Sequence, residues 1–93
     1  MVYLQITLNV PNDNRPAAAA IYNRYKAPFL ETVKGAASKQ LLISPENVIV
    51  LHGFDTAANA EAYLSTPLFQ QDVAGALKPL LAAAPAVRVY TVA

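Results

Sequence analysis

The chain contains one histidine, His52, and no cysteine. His52 is therefore the one side chain that titrates near neutral pH without help. It lies near the end of the apolar segment Val48–Phe54, just before Gly53 and Asp55. In a cleft it would accept a proton or a hydrogen bond from a ligand; within a sheet or an interface it would be a buried, satisfied histidine. Tyr63 is the second candidate for chemistry, because helix-breaking residues follow it at Ser65-Thr66-Pro67 and such a break widens the gap beneath a helix. A phenol combines an apolar ring with one polar tip, which suits an aromatic ligand. Tyr22 and Phe54 would line the same pocket, although rings at helical or strand spacing also build cores. Tyr25, in phase with Ile21 and Phe29, reads as core. Asn9 and Arg88 are candidate binding residues, Arg88 for an anionic group. Both also fit an interface: Tyr3, Gln5, Thr7 and Asn9 form one polar row, which Arg88 and Tyr90 could join.

Other chemistries lack their residues. Asp13, Glu31, Glu46, Asp55, Glu61 and Asp72 show no paired spacing, and Asp55 reads as a helix cap. One histidine and no cysteine give no metal-ligand pattern, so no metal and no cofactor is expected. There is no glycine-rich phosphate loop and no nucleophile elbow. Net charge is +1, with seven scattered Lys and Arg; no basic stripe exists for nucleic acid or for a membrane surface. The start of the chain alternates apolar and polar residues, unlike a signal peptide, and no stretch has the length of a membrane span. With no cysteine, this fits a cytoplasmic protein.

The elements that must hold these residues are legible from periodicity. Val2, Leu4, Ile6, Leu8 and Val10 alternate with polar residues, which predicts a strand ended by Pro11-Asn12-Asp13-Asn14. A helix follows from Asn14 or Arg15 with Pro16 in its first turn. Pro28 should kink or split it, and Gly35 should stop it. Two strands, Lys39–Ser44 and Val48–Phe54, form a hairpin around Ser44-Pro45-Glu46-Asn47, which reads as a type I turn. Asp55 or Thr56 caps a second helix through Tyr63. Thr66-Pro67 starts a further helical stretch with Phe69, Val73, Ala76, Leu77 and Leu80 in phase. Val87–Val92 is the last strand.

These 93 residues make one domain over residues 1–93. The order β-α-β-β-α-β is that of an α+β, ferredoxin-like antiparallel sheet with two helices on one face. Right-handed crossovers put the first and third strands in the centre. The third strand is apolar on both faces, with Val48, Val50 and Phe54 on one and Ile49 and Leu51 on the other. Two helices cover one face only, so a second copy is the simplest cover for the other, and a two-fold homodimer is expected. The charged fraction of 14%, against about 25% in ordinary globular chains, fits a surface partly hidden in such an interface. The high alanine content, which raises the hydrophobic count without adding much apolar area, is the other explanation.

Four stretches carry a family resemblance. Val48-Ile49-Val50-Leu51-His52-Gly53-Phe54-Asp55 leads into Ala60-Glu61-Ala62-Tyr63-Leu64-Ser65-Thr66-Pro67-Leu68-Phe69, and later come Leu77-Lys78-Pro79-Leu80-Leu81 and Val87-Arg88-Val89-Tyr90. The chain resembles the antibiotic biosynthesis monooxygenase-like family of dimeric α+β barrels. The resemblance implies a site between helices and sheet, and a cofactor-independent oxygenase or isomerase acting on a small hydrophobic, aromatic metabolite. A non-enzymatic binding or assembly module on the same barrel is the alternative. Haem-degrading members use a Trp and a His as iron ligand at positions that fall on Tyr63 and near Val73. This chain has no Trp, and its one His is on a strand, which argues against haem degradation.

Overall fold

A computed structural model describes residues 1–93. The elements run β1 (Val2–Leu8), α1 (Arg15–Thr32), β2 (Ala36–Ile43), β3 (Val48–Phe54), α2 (Ala57–Tyr63), α3 (Pro67–Phe69) and β4 (Ala86–Thr91). A short 3₁₀ turn, Asn12–Asn14, precedes α1. Beyond α3 the helical path continues as a π-helical segment, Gln70–Leu77, and a 3₁₀ turn, Lys78–Leu80. The strands form one antiparallel sheet in the order β2-β3-β1-β4, the ferredoxin-like arrangement with β1 and β3 in the centre.

Strict alternation decides which residues meet the helices. Val2, Leu4, Ile6 and Leu8 of β1 are buried, and so are Val48, Val50, His52 and Phe54 of β3. They pack with Ala18, Ile21, Tyr22 and Phe29 of α1, Ala60 and Tyr63 of α2, and Val73 and Leu77 of the π-helical segment. Tyr3, Gln5, Thr7, Ile49 and Leu51 occupy the other face and are only half-buried. Both helical units lie on one side, and the second face keeps its apolar residues without a covering layer.

Local chemistry explains the helix ends. The Thr56 side chain accepts from the Asn59 N–H at 3.1 Å and caps α2. Asp55 does not cap; its carboxylate accepts instead from the Asn59 side-chain amide at 2.8 Å. Thr66 accepts from the Phe69 N–H at 3.2 Å, with Pro67 at the first helical position of α3. Pro28 does not split α1, which runs unbroken from Arg15 to Thr32. The carbonyl that Pro28 leaves without a donor belongs to Arg24, an exposed residue, where water can replace the lost bond. The Arg15 guanidinium ties the start of α1 to the β2–β3 turn, donating to the Ser44 carbonyl at 2.7 Å and the Pro45 carbonyl at 3.2 Å.

Two strand boundaries move by more than one residue from the sequence expectation. β1 ends at Leu8 rather than Val10, because the Asn9 carbonyl accepts from the Ala82 N–H at 2.9 Å outside the ladder. β2 begins at Ala36 rather than Lys39, with an irregularity between Ala36 and Ser38 that skips Ala37 in the pairing with β3. This bulge sets Lys39 opposite His52, on the helix side of the sheet. The turn from α1 into β2 requires Gly35, at φ +80°. A Cβ there would meet the Asp55 carboxylate and lie 2.7 Å from Asn59 Nδ2. Gly35→Ala is expected to lose about 1–3 kcal/mol, read as a lower midpoint in thermal unfolding; an unchanged midpoint would show that the turn relaxes.

Candidate functional site

Of the six sequence-predicted site residues, four lie on the helix side of the sheet. His52 and Phe54 extend from β3, Tyr63 closes α2, and Tyr22 comes from α1; all four are buried. Phe29 is the hub of the aromatic group. Its ring centroid lies 5.0 Å from His52, 5.0 Å from Tyr63 and 5.5 Å from Phe54, each with edge-to-face geometry. Tyr63 also packs on Phe69 at 5.4 Å, and the His52 and Tyr63 rings are 5.4 Å apart.

Asn9 and Arg88 do not join them. Arg88 is in register with Gln5 across β1–β4, which puts it on the face away from the helices. Asn9 is exposed at the end of β1. The same alternation that buries Leu4 and Ile6 excludes both from the helix–sheet layer, and their assignment as pocket residues is corrected accordingly. Tyr22 is in the layer, but its hydroxyl is already used, donating to the Lys39 carbonyl at 2.7 Å.

The layer holds two charged residues that the sequence reading passed over, Lys39 and Asp72. Lys39 Nζ lies 3.1 Å from Asp72 Oδ2, and both side chains are almost completely buried. The ammonium also faces the rings of Phe29 at 5.4 Å and Tyr22 at 5.8 Å, a favourable cation–π environment. Burial pushes the Lys39 pKa down and the Asp72 pKa up, and their mutual attraction opposes both shifts. The available signal for Lys39 was its place in phase with Leu41 and Ile43 on β2. For Asp72 it was a place three residues after Phe69 and four before Ala76, within the apolar helical stripe, although acids there are usually solvated.

The charge of Lys39 acts on its neighbour. Burial, and then the nearby Lys39 ammonium, holds the His52 pKa far below its usual 6.5, down to about 3. His52 is therefore neutral at physiological pH. Its Nδ1 lies 3.3 Å from the Leu4 carbonyl, which can only accept, so Nδ1 carries the proton and Nε2 presents a bare lone pair. That Nε2 is buried without a partner, as are the Tyr63 hydroxyl and Asp72 Oδ1. Burial, with the Asp72 carboxylate nearby, pushes the Tyr63 phenol up and keeps it a neutral donor. An unpaired buried polar group costs about 1–3 kcal/mol, and this layer holds three.

The space around this centre is tight. The void beside Tyr22, Lys39 and Asp72 measures about 10 Å³. Two open clefts flank the layer. One, of about 410 Å³, runs between the end of α1 and the α2–α3 junction and has Tyr63, Thr66 and Leu68 in its wall. The other, of about 500 Å³, lies between the π-helical segment and the loop before β4, lined by Phe69, Val73, Lys78 and Leu81. Both have the size of small-molecule sites. No group of three or more His, Cys, Asp or Glu side chains is placed to hold a metal ion, and no helix is long and apolar enough to cross a membrane.

Neither a family model nor a curated protein matches the sequence. Solved structures do match in shape. A candidate antibiotic biosynthesis monooxygenase from Bordetella bronchiseptica superposes with a TM-score of 0.84 at 15% identity, covering 99% of this chain and 97% of that one. This chain has the antibiotic biosynthesis monooxygenase-like fold. A second candidate monooxygenase, from Caulobacter crescentus, gives 0.83 at 19% identity over 99% of this chain and 89% of that one. A protein from Mycobacterium tuberculosis gives 0.79 at 18% identity over 99% and 94%. Identities this low carry the architecture and leave the chemistry to the residues of this chain.

Two outcomes test the electrostatics of this layer. Since the folded-state pKa of His52 is depressed, its stabilising contribution is complete above pH 6.5 and is lost as pH falls toward about 3. The full loss is roughly 4–5 kcal/mol, and a His52→Gln variant should show a flatter stability–pH curve over that window in urea titrations. Lys39→Met or Asp72→Leu alone should each lose roughly 3–5 kcal/mol, because each leaves a buried group uncompensated. The Lys39→Met/Asp72→Leu double variant should recover most of that loss. Additive losses in the cycle would show that the two groups do not act as a pair.

Proposed function

We propose that this chain is a cofactor-independent, monooxygenase-like protein that binds and oxidises a small aromatic metabolite within the helix–sheet layer of each protomer. The observation that carries the reading is the pair of buried, partnerless atoms His52 Nε2 and Tyr63 OH, one an acceptor and one a donor, set among the rings of Phe29, Phe54 and Phe69. A hydroxylated aromatic satisfies both while stacking on the rings. A cofactor-independent oxygenation takes the electrons for O₂ from the substrate, which restricts it to electron-rich rings such as polyphenols. Tyr63, which lines the cleft of about 410 Å³, marks the entry. The fold shared with candidate antibiotic biosynthesis monooxygenases supports the same reading.

The closure of the layer favours a second reading. His52, Tyr63, Tyr22 and Phe54 are all buried, which suits a binding or assembly module that performs no turnover. Titration with a polyphenol panel and haem, combined with O₂ uptake, separates the two. The monooxygenase reading expects polyphenol binding with O₂ consumption, weakened roughly three- to tenfold in Tyr63→Phe and His52→Ala through one lost hydrogen bond each. Binding without O₂ uptake supports the module. Unchanged binding and turnover in both variants removes these residues from the site.

We further propose that the open face of the sheet pairs with a second copy of the chain. Ile49 and Leu51 on β3, opposite Thr7 and Gln5 of β1, form its half-buried centre, and no element of the chain covers it. The cysteine-free composition supports a cytoplasmic setting for this assembly. Sedimentation should find a dimer at micromolar concentration, and Leu51→Asp should shift it to monomer; a monomeric parent protein would refute the pairing.

A further inference from the structure

We propose that Asp72, held in place by Lys39, is the base of the site and takes the proton from a phenolic hydroxyl of the bound aromatic. This deepens the monooxygenase-like reading and rests on it, and it narrows the ligand to a phenol with an ionisable hydroxyl. Three groups in the layer lack partners: His52 Nε2, Tyr63 OH and Asp72 Oδ1. The Tyr63 phenol is a neutral donor and has no proton to receive. His52 Nε2 accepts a hydrogen bond but takes up no second proton at neutral pH, because burial, and then the nearby Lys39 ammonium, keep the ring neutral. Asp72 remains. One of its oxygens is fixed 3.1 Å from Lys39 Nζ, and the other is buried and free on the same side of the sheet.

Charge balance makes the transfer feasible in an apolar layer. The ligand O–H bond breaks, its proton moves to Asp72 Oδ1, and its electron pair stays on the ligand oxygen. The negative charge passes from the carboxylate to the phenolate while Lys39 keeps its positive charge. The layer holds one cation and one anion before and after, so no net charge is buried. The groups that face Asp72 are Lys39 from β2, Tyr63 from α2 and Tyr22 from α1, with His52 on β3 next to Lys39. None of them offers a competing negative charge.

The probe is 4-nitrophenol, whose phenolate absorbs at longer wavelength than its phenol. It is bound to the full-length protein at a pH where the free probe is protonated, and calorimetry in two buffers of different ionisation enthalpy counts protons exchanged with solvent. The wild-type complex is expected to show the phenolate band with no proton released to buffer. A new carboxylic-acid C=O band should appear in its infrared difference spectrum. In Asp72→Asn the infrared band is lost, and the probe is bound either as phenol or as phenolate with about one proton released. Tyr63→Phe should keep the internal transfer while binding more weakly. A wild-type complex holding the phenol form, or releasing a proton to buffer as phenolate forms, overturns the role of Asp72 and leaves the binding site standing. No binding of the probe or of polyphenols overturns the site itself, and Asp72 with it. The wild-type measurements decide the matter even if Asp72→Asn fails to fold.

Discussion

An ammonium group buried against a sheet must find a counter-charge, and in this domain that requirement shapes the helical layer. The bulge between Ala36 and Ser38 turns Lys39 inward beneath α1, among rings that favour its charge but cannot neutralise it. Asp72 supplies the counter-charge from the π-helical segment. Bringing Asp72 down onto the sheet also brings Val73 and Leu77 into the core, and their burial shuts the layer above Tyr22. The same ammonium helps strip His52 of its proton. One inward-facing charge thus bears on the path of the second helical unit and the closure of the layer, and it adds to the burial that keeps the only imidazole neutral. Burying the pair is not favourable in itself; hydrophobic packing on both sides carries the cost.

Much of the architecture was legible because it rests on short-range periodicity. The period-2 pattern of β1 and β3 located the two central strands, and the ends of β3 fell where the apolar run ends. The caps at Thr56 and Thr66-Pro67 were visible from residue type. What escaped depended on irregular backbone. β2 starts three residues early because a bulge breaks the alternation that would reveal it. Pro28 sits inside α1 because the carbonyl it orphans faces solvent, a matter of tertiary placement.

The site divided along the same line. His52 and Tyr63 stood out as the residue types that carry proton chemistry, and strand and helix phase placed them on one side of the sheet. Asn9 and Arg88 were grouped with them by type, and the pleat separated them. Lys39 and Asp72 lie 33 positions apart, joined only through a bulge and a non-α helical turn. Each shares a face with apolar residues of its own element, but neither the bulge nor the non-α turn leaves a mark in hydrophobic periodicity, so their pairing was beyond a reading of faces.

The π-helical segment also ties the chemistry to the count of residues. A π-helical turn bonds residue i to i+5, one residue further than an α-helix. Removing one residue between Gln70 and Leu77 would let the segment relax into an ordinary α-helix with both ends still anchored. Such a deletion would change the angle at which Asp72 leaves the helix, and with it the contact to Lys39. Relatives that share this architecture but are shorter by that one residue would need some other answer to the charge on β2, or an apolar residue in place of the lysine. Segment length is in this sense as much a specifying feature of the layer as any side chain in it.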